Sequence, residues 1–219
     1  MASIQLYHFP ASPPCRSVRM TAKALGVQLE LKQLEYHNKG HLSPEFIKIN
    51  PDHTTPTIVD GDFTLWESRA IMRYLVGKYG GEDNSLYPRD LQKRAEVDRL
   101  LDYDLGVFYR AMLDDVMMPL RSKTNRTKEQ EENIFKAFER IDTLVKDKKF
   151  LTGNTLTIAD FAVVVGFAAG VIYPGDMSKY PNAVAWYKRI QELPYYKEVN
   201  QPFYDIVEKM KNTPAEKPT

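Results

Sequence analysis

A single cysteine, Cys15, is all that 219 residues contain. No intrachain disulfide can form, which suits a reducing compartment and leaves the fold to its core. Charge of one sign is also lacking: 30 Lys and Arg stand against 29 Asp and Glu, a net charge of +1. That balance gives no case for a nucleic-acid or membrane-surface protein. Long apolar runs are missing too. The longest, from Phe161 to Tyr173, is too short to span a bilayer and reads as a buried helix. The first residues, Met-Ala-Ser-Ile-Gln, have neither the basic start nor the apolar stretch of a signal peptide, so a cytoplasmic protein is expected. The four histidines, at positions 8, 37, 41 and 53, lack helical ligand spacing, and no metal site is expected. Internal repeats and low-complexity segments are absent.

What is there changes character once along the chain, which is long enough for two small domains with cores of their own. From Ile4 to about Tyr79, short β-type runs alternate with helical ones. Gln5 to Phe9 and Leu29 to Leu34 are candidate strands; between them helical spacing runs from Pro14 through Val18, Ala22 and Leu25, closing at Gly26. Thr57–Asp60 and Phe63–Trp66 face each other across Gly61-Asp62, a hairpin signal. A helix from Glu67 to Tyr79 stops at Gly80-Gly81. The order βαβ then ββα implies a mixed four-stranded sheet with helices packed on it. Turn-formers and polar residues mark 81–88 as a linker. Beyond it only amphipathic helical segments read clearly: Leu91 to Met118, Lys128 to Val145, Ile158 to Tyr173 and Asn182 to Leu193, with a polar tail from Lys211. The expectation is an α/β domain over 1–80 followed by an all-α helical bundle over 89–219.

Two features carry local structure and chemistry. Thr157 followed three residues later by Asp160 is a capping box for the Ile158 helix, with Leu156 able to staple to Phe161. Its role reads as structural. Ser12-Pro13-Pro14-Cys15 occupies the turn between the first strand and the first helix, where a thioredoxin-like fold carries a Cys-x-x-Cys pair. A hydroxyl at the first position cannot form a disulfide but can donate a hydrogen bond to a sulfur brought by a ligand, and the helix start adds a positive dipole end. Serine at such a turn also serves simply as a helix cap. Thr55-Pro56 opens the third strand; a cis bond there would turn the Thr55 peptide outward to pair with an extended ligand. Glu67-Ser68 begins a helix, where Ser68 could accept a ligand carboxylate and Glu67 a ligand ammonium, or both could only cap it.

The runs Pro14–Val18 (Pro-Cys-Arg-Ser-Val), His41–Val59, Leu65–Ile71 (Leu-Trp-Glu-Ser-Arg-Ala-Ile), Ser85–Pro88 and Leu156–Asp160 together resemble the soluble, serine-dependent glutathione transferases of the arthropod delta class. The likeness covers nearly the whole chain, and its motifs are specific in combination. The resemblance implies that Ser12 bonds the glutathione thiol and Thr55, within Thr54-Thr55-Pro56, pairs with the cysteinyl unit. It implies that Glu67 and Ser68 hold the γ-glutamyl end with Arg69 beside them, and that His41 and His53 face the glycyl carboxylate. It implies a homodimer that uses glutathione as co-substrate, with no other cofactor. Relatives that rely on tyrosine carry it just before a Phe-Pro pair; here His8 holds that place, and Tyr7 should face the other side of the sheet. A cysteine-type enzyme would need Cys at position 12. Ala11 stands where the family usually has Gly, and Pro13 where it often has Ala, both in the loop that presents Ser12.

The expected activity is conjugation of a glutathione thiolate to hydrophobic electrophiles, a detoxification chemistry; peroxide reduction as a side activity is compatible with the same thiolate. The electrophile would lie between the domains, against Phe9, Pro10 and Ala11 from the first and Tyr109, Met112, Met117, Phe167 and Phe203 from the second. Methionine and aromatic walls suit varied shapes, although each second-domain residue except Tyr109 reads more simply as helix core. Two other roles use the same fold: sequestering hydrophobic ligands, and serving as an interaction domain on translation factors. The second usually loses the serine and the Glu-Ser pair. For the dimer a physical motive is added: the helix from Glu67 to Tyr79 and the long helix from Leu91 each need a second apolar face covered. In the first, Ile71, Met72, Tyr74, Leu75 and Val76 spread over more than one face, more than one sheet should bury.

Overall fold

The computed structural model describes residues 3–36, 38–172 and 176–212. His37, Tyr173 and the tail from 213 onward, which the sequence reading touches, lie outside them.

The first half follows the sequence closely. Strands β1 (Ile4–His8), β2 (Leu29–Gln33), β3 (Thr57–Asp60) and β4 (Phe63–Trp66) form one sheet in the order β2-β1-β3-β4. β1 runs parallel to β2 and antiparallel to β3, which pairs antiparallel with β4. Period-two alternation buries Ile4, Leu6 and His8 on one face of β1. It turns Tyr7 to the other face, where its ring meets Phe46 at 5.4 Å. Gly61 takes the left-handed conformation, φ 62°, that lets the β3–β4 hairpin turn in two residues. Helix α1 (Pro13–Ala24) crosses from β1 to β2, and α3 (Ser68–Tyr79) follows β4. Between them lies α2 (Pro44–Ile49), too short to show periodicity in sequence; Ser43 caps it by accepting from the Phe46 amide.

The second half is helical: α4 (Leu91–Tyr103), α5 (Met118–Ser122), α6 (Lys128–Leu144), α7 (Ile158–Val171), α8 (Pro181–Gln191) and α9 (Tyr196–Asn212). The expected continuous segment from Leu91 to Met118 is not one α-helix. After Tyr103 it widens into π-helical stretches at Asp104–Phe108 and Ala111–Met117. Pro119 has no N–H to continue the ladder, and Arg126 donates to the Asp115 and Val116 carbonyls instead. α9 shows no clear helical signal in sequence because Pro202 interrupts an otherwise helical pattern.

α7 is the axis of the molecule: Ile158 through Gly170 are all buried. Gly170 lets it approach α6, since a Cβ there would overlap the Phe138 ring. The capping box forms, and Asp160 does more than start the helix. Its carboxylate accepts from the Thr157 amide at 2.9 Å, the Leu151 amide at 2.9 Å and Trp186 Nε1 at 2.9 Å, tying the preceding loop and α8 to α7. α1 packs on α7 as extensively as on α3, so one helix belongs to both halves. That packing removes one of the two physical motives for a dimer: Ile71, Met72, Leu75 and Val76 are buried within the chain. Large apolar side chains remain exposed at several other places, among them Phe63 on β4 and Leu91, Leu105, Val107 and Leu113 along α4 and the π-helical stretches after it. Among the described residues no helix is long and apolar enough to cross a membrane.

Candidate active site

Ser12 is the N-cap residue of α1, half-buried, with extended backbone at φ −62° and ψ 125°. Its amide donates to the Phe9 carbonyl at 3.0 Å, which tightens the turn. Its hydroxyl bonds no amide of the helix. The cap explanation therefore loses its ground: Pro13 and Pro14 carry no N–H, so the first turn offers few donors to cap. Cys15, directly behind, is buried and free. Burial pushes its thiol up, against hydrogen bonding from Ser12 and Thr55, so it packs as a neutral group beside both hydroxyls. His8 sits in the interior with Nδ1 unpartnered, and burial with the nearby Arg19 charge lowers it to about 4. It is neutral at physiological pH.

One rim of the site is built from the loop after β2, which sequence patterning left blank. Tyr36 Oη and Thr55 Oγ1 share a hydrogen bond of 2.8 Å. The Tyr36 ring stacks on His41 at 4.3 Å and 14° and meets Phe9 edge-on at 5.7 Å. His53 is exposed, 6.4 Å from His41 between ring centres. The Thr55–Pro56 peptide is cis. Asn50 fixes the approach to it, donating to the Thr54 carbonyl at 3.1 Å and to Thr57 Oγ1 at 2.9 Å. His41, His53 and Thr55, all expected in the glutathione site, lie together here; Phe9, expected in the electrophile wall, joins them through Tyr36, which sequence patterning does not single out. Only its neighbourhood, an aromatic shortly before His41, could have signalled it.

At the other end, Glu67 is exposed and held at φ 70° and ψ 108°, a conformation side chains rarely adopt. Ser68 and Arg69 open α3 and are buried. Arg69, expected beside a ligand, instead turns inward. It donates to Ser68 Oγ at 2.9 Å, closes an ion pair with Asp104 at the start of the π-helical stretch, and lies 5.3 Å from the Tyr109 ring centre. Burial pushes Asp104 up to about 6 against the pull of Arg69. The arginine is a brace behind Ser68, and Asp104, its partner, carries no signal of this role in the sequence.

The expected apolar wall divides in two. Phe9, Pro10, Tyr109 and Met117 are half-buried and accessible, whereas Ala11 is buried in the loop. Met112, Phe167 and Phe203 belong to the interior, a correction to the expectation. Met112 lies against the Gly166–Gly170 face of α7. Phe167 packs among Phe138, Trp186 and Tyr187, and Phe203 lies under Arg16. A helical stripe of this kind cannot show in sequence which of its members the neighbouring helices will cover.

Comparison with known proteins places this geometry. The family model "Glutathione S-transferase, N-terminal domain" matches residues 6–83, and "Glutathione S-transferase, C-terminal domain" matches 108–194. The chain is 39% identical over 193 residues to glutathione S-transferase D7 of Drosophila melanogaster, covering 88% of this chain and 86% of that protein. A delta-class glutathione transferase structure from Nilaparvata lugens superposes with a TM-score of 0.87 at 38% identity, over 94% of this chain and 99% of that one. A glutathione transferase homologue from Drosophila mojavensis, solved with bound glutathione, gives 0.88 at 37% identity over 98% and 99%.

Proposed function

The chain belongs to the glutathione S-transferase family, of the insect delta-class type, and from that premise we propose that Ser12 holds the glutathione sulfur as the attacking thiolate. The observation that carries this reading is the Ser12 hydroxyl itself: half-exposed at the head of α1, bonded to no helix amide, and backed by an inert Cys15. A free thiol titrates at about 8.5, so little is ionised at neutral pH. Lowering it by about two units corresponds to about 2.7 kcal/mol of differential stabilisation. A charged hydrogen bond contributes about 1.5–3 kcal/mol and a helix N-terminus about 0.3–1, which together suffice. No general base is needed beyond a path for the departing proton.

The tripeptide lies along the rim in this reading. Glu67 and the braced Ser68 take the γ-glutamyl end, the Thr55 backbone pairs with the cysteinyl unit, and His41 with His53 faces the glycyl carboxylate. The electrophile docks against Phe9, Pro10, Tyr109 and Met117. A second copy of the chain covers exposed Leu91, Leu105, Val107 and Leu113 in a two-fold dimer. Light scattering is expected to give twice the 25.3 kDa chain mass; a monodisperse, fully active single chain would remove the dimer. The function itself is tested by conjugation of glutathione to a generic aryl halide together with retention on immobilised glutathione. Retention without turnover would leave a ligand-binding protein and end the enzymatic reading.

A further inference from the structure

Arg16 is fully buried, and among the described residues no Asp or Glu pairs with it. It sits one helical turn behind Ser12, its own amide donating to the Ser12 carbonyl at 3.0 Å. Its side chain leaves the first domain and enters the second. Nη1 donates to Asn200 Oδ1 at 2.7 Å, Nη2 donates to the Val165 carbonyl at 3.0 Å, and the guanidinium lies 4.1 Å from the Phe203 ring centre. Nε has no partner. These contacts solvate the cation with dipoles and a ring face but bring no negative charge.

The titratable groups that face it do not supply one either. On α8 and α9 the hydroxyls of Tyr187, Tyr196 and Tyr204 form a bonded triad, with separations of 2.5, 2.8 and 3.1 Å. Burial pushes Tyr187 and Tyr196 well above the ordinary tyrosine value, so both are neutral. On its own helix the neighbours are the neutral thiol of Cys15 and a second cation, Arg19. The carboxylates of Glu198 and Asp104 are engaged elsewhere: Glu198 pairs with Lys23 at 2.7 Å, and Asp104 pairs with Arg69. Burial lowers Arg16 to about 10, which leaves it charged at neutral pH. Its field reaches Tyr109, the half-buried aromatic of the expected electrophile wall.

A buried cation without a counter-charge is costly unless something compensates it. We propose that Arg16 is a positioning residue for the thiolate: pinned by Asn200 and the Val165 carbonyl, its charge is compensated by the sulfur held at Ser12 and stabilises it through the protein interior. The proposal rests on the Ser12 reading above. It is a preorganised charge of the kind that favours an anion without reorganising when the anion forms. A unit charge at ~10 Å with an effective dielectric of about 20 shifts a titration by roughly one pH unit.

The test separates field from anchor. Asn200→Asp keeps an acceptor on Nη1 but places a carboxylate against the guanidinium. The readout is the ultraviolet thiolate absorbance of glutathione bound to the full-length protein, followed with pH, beside the melting temperature of each variant. Asn200→Asp and Arg16→Met are expected to raise the titration of the bound thiol by roughly half a unit to one unit, whereas Arg16→Lys retains most of the wild-type value. Where Arg16→Met does not fold, Asn200→Asp decides. A purely structural anchor would alter melting and leave the titration in place; an unshifted thiol in folded Asn200→Asp overturns the proposal. If the wild-type protein shows no thiolate band, the Ser12 reading falls and this one with it. If the band is present and Ser12→Ala abolishes it while Asn200→Asp does not move it, only the Arg16 proposal falls.

Discussion

Asp104 offers a perturbation whose size can be worked out in advance. It is fully buried, and its carboxylate closes on an Arg69 guanidinium that is itself buried, at 7% exposure. Removing one partner strands the other charge in the interior, at about 3–5 kcal/mol. In a chain of this length each kcal/mol lowers the melting temperature by about 2–4 °C, so Asp104→Ala should melt about 6–20 °C below wild type. Asp104→Asn is milder, because it keeps an oxygen for Arg69 and mimics the protonated acid. Arg69 also donates to Ser68 Oγ, so both variants should raise the apparent glutathione constant. The same loss should appear in the wild type on acidification. Burial raises Asp104 from 3.8 to about 6, so between neutral pH and about pH 5 the acid gains its proton and Arg69 loses its counter-charge. The stability sign is opposite. A carboxyl whose folded value is raised contributes stability that is fully present below about 4 and lost as pH rises through about 6. Acidification should thus weaken glutathione binding without unfolding the chain through this group. Equilibrium titration of glutathione at several pH values, beside thermal melts, checks both. Asp104→Ala melting with the wild type, or wild-type affinity that stays flat down to about pH 5, would refute the brace.

Three further outcomes follow from single contacts. Ser12→Ala should lower turnover about 10- to 100-fold, the worth of one charged hydrogen bond, while glutathione stays bound and the pH profile of turnover moves upward; near-wild-type rates at neutral pH would remove Ser12 from the reaction. Glu67→Gly releases a backbone held at φ 70°, worth about 1–3 kcal/mol of strain against about 0.5–1 for glycine entropy. It should melt no lower than wild type while its glutathione constant rises, and a lower melting temperature would sink the strain argument. Asp160→Ala leaves the buried amides of Leu151 and Thr157 and the Trp186 indole unpaired, at about 1–3 kcal/mol each. Its melting temperature should fall by ten degrees or more, with Trp186 fluorescence shifting to the red; unchanged melting would mean these donors find other partners.

Local patterns were enough wherever the physics is local. The β1 alternation, the Gly61 turn and the stop of α3 at Gly80-Gly81 are each settled by a few adjacent residues. So is the Thr157–Asp160 capping box, and so is the presence of a lone hydroxyl at the strand-to-helix turn. What sequence could not decide depends on partners far along the chain. Whether Ser12 spends its hydroxyl on the helix, whether Arg69 reaches outward or toward Asp104, and whether Met112, Phe167 and Phe203 line a cleft or a core are outcomes of packing between elements. Asp104 and Arg69 are 35 residues apart, and Arg16 and Asn200 are 184 apart. A charge in sequence carries no record of the dielectric around it; only the helices that close over Arg16 and Asp104 turn ordinary ionisable residues into buried charges that act on the site.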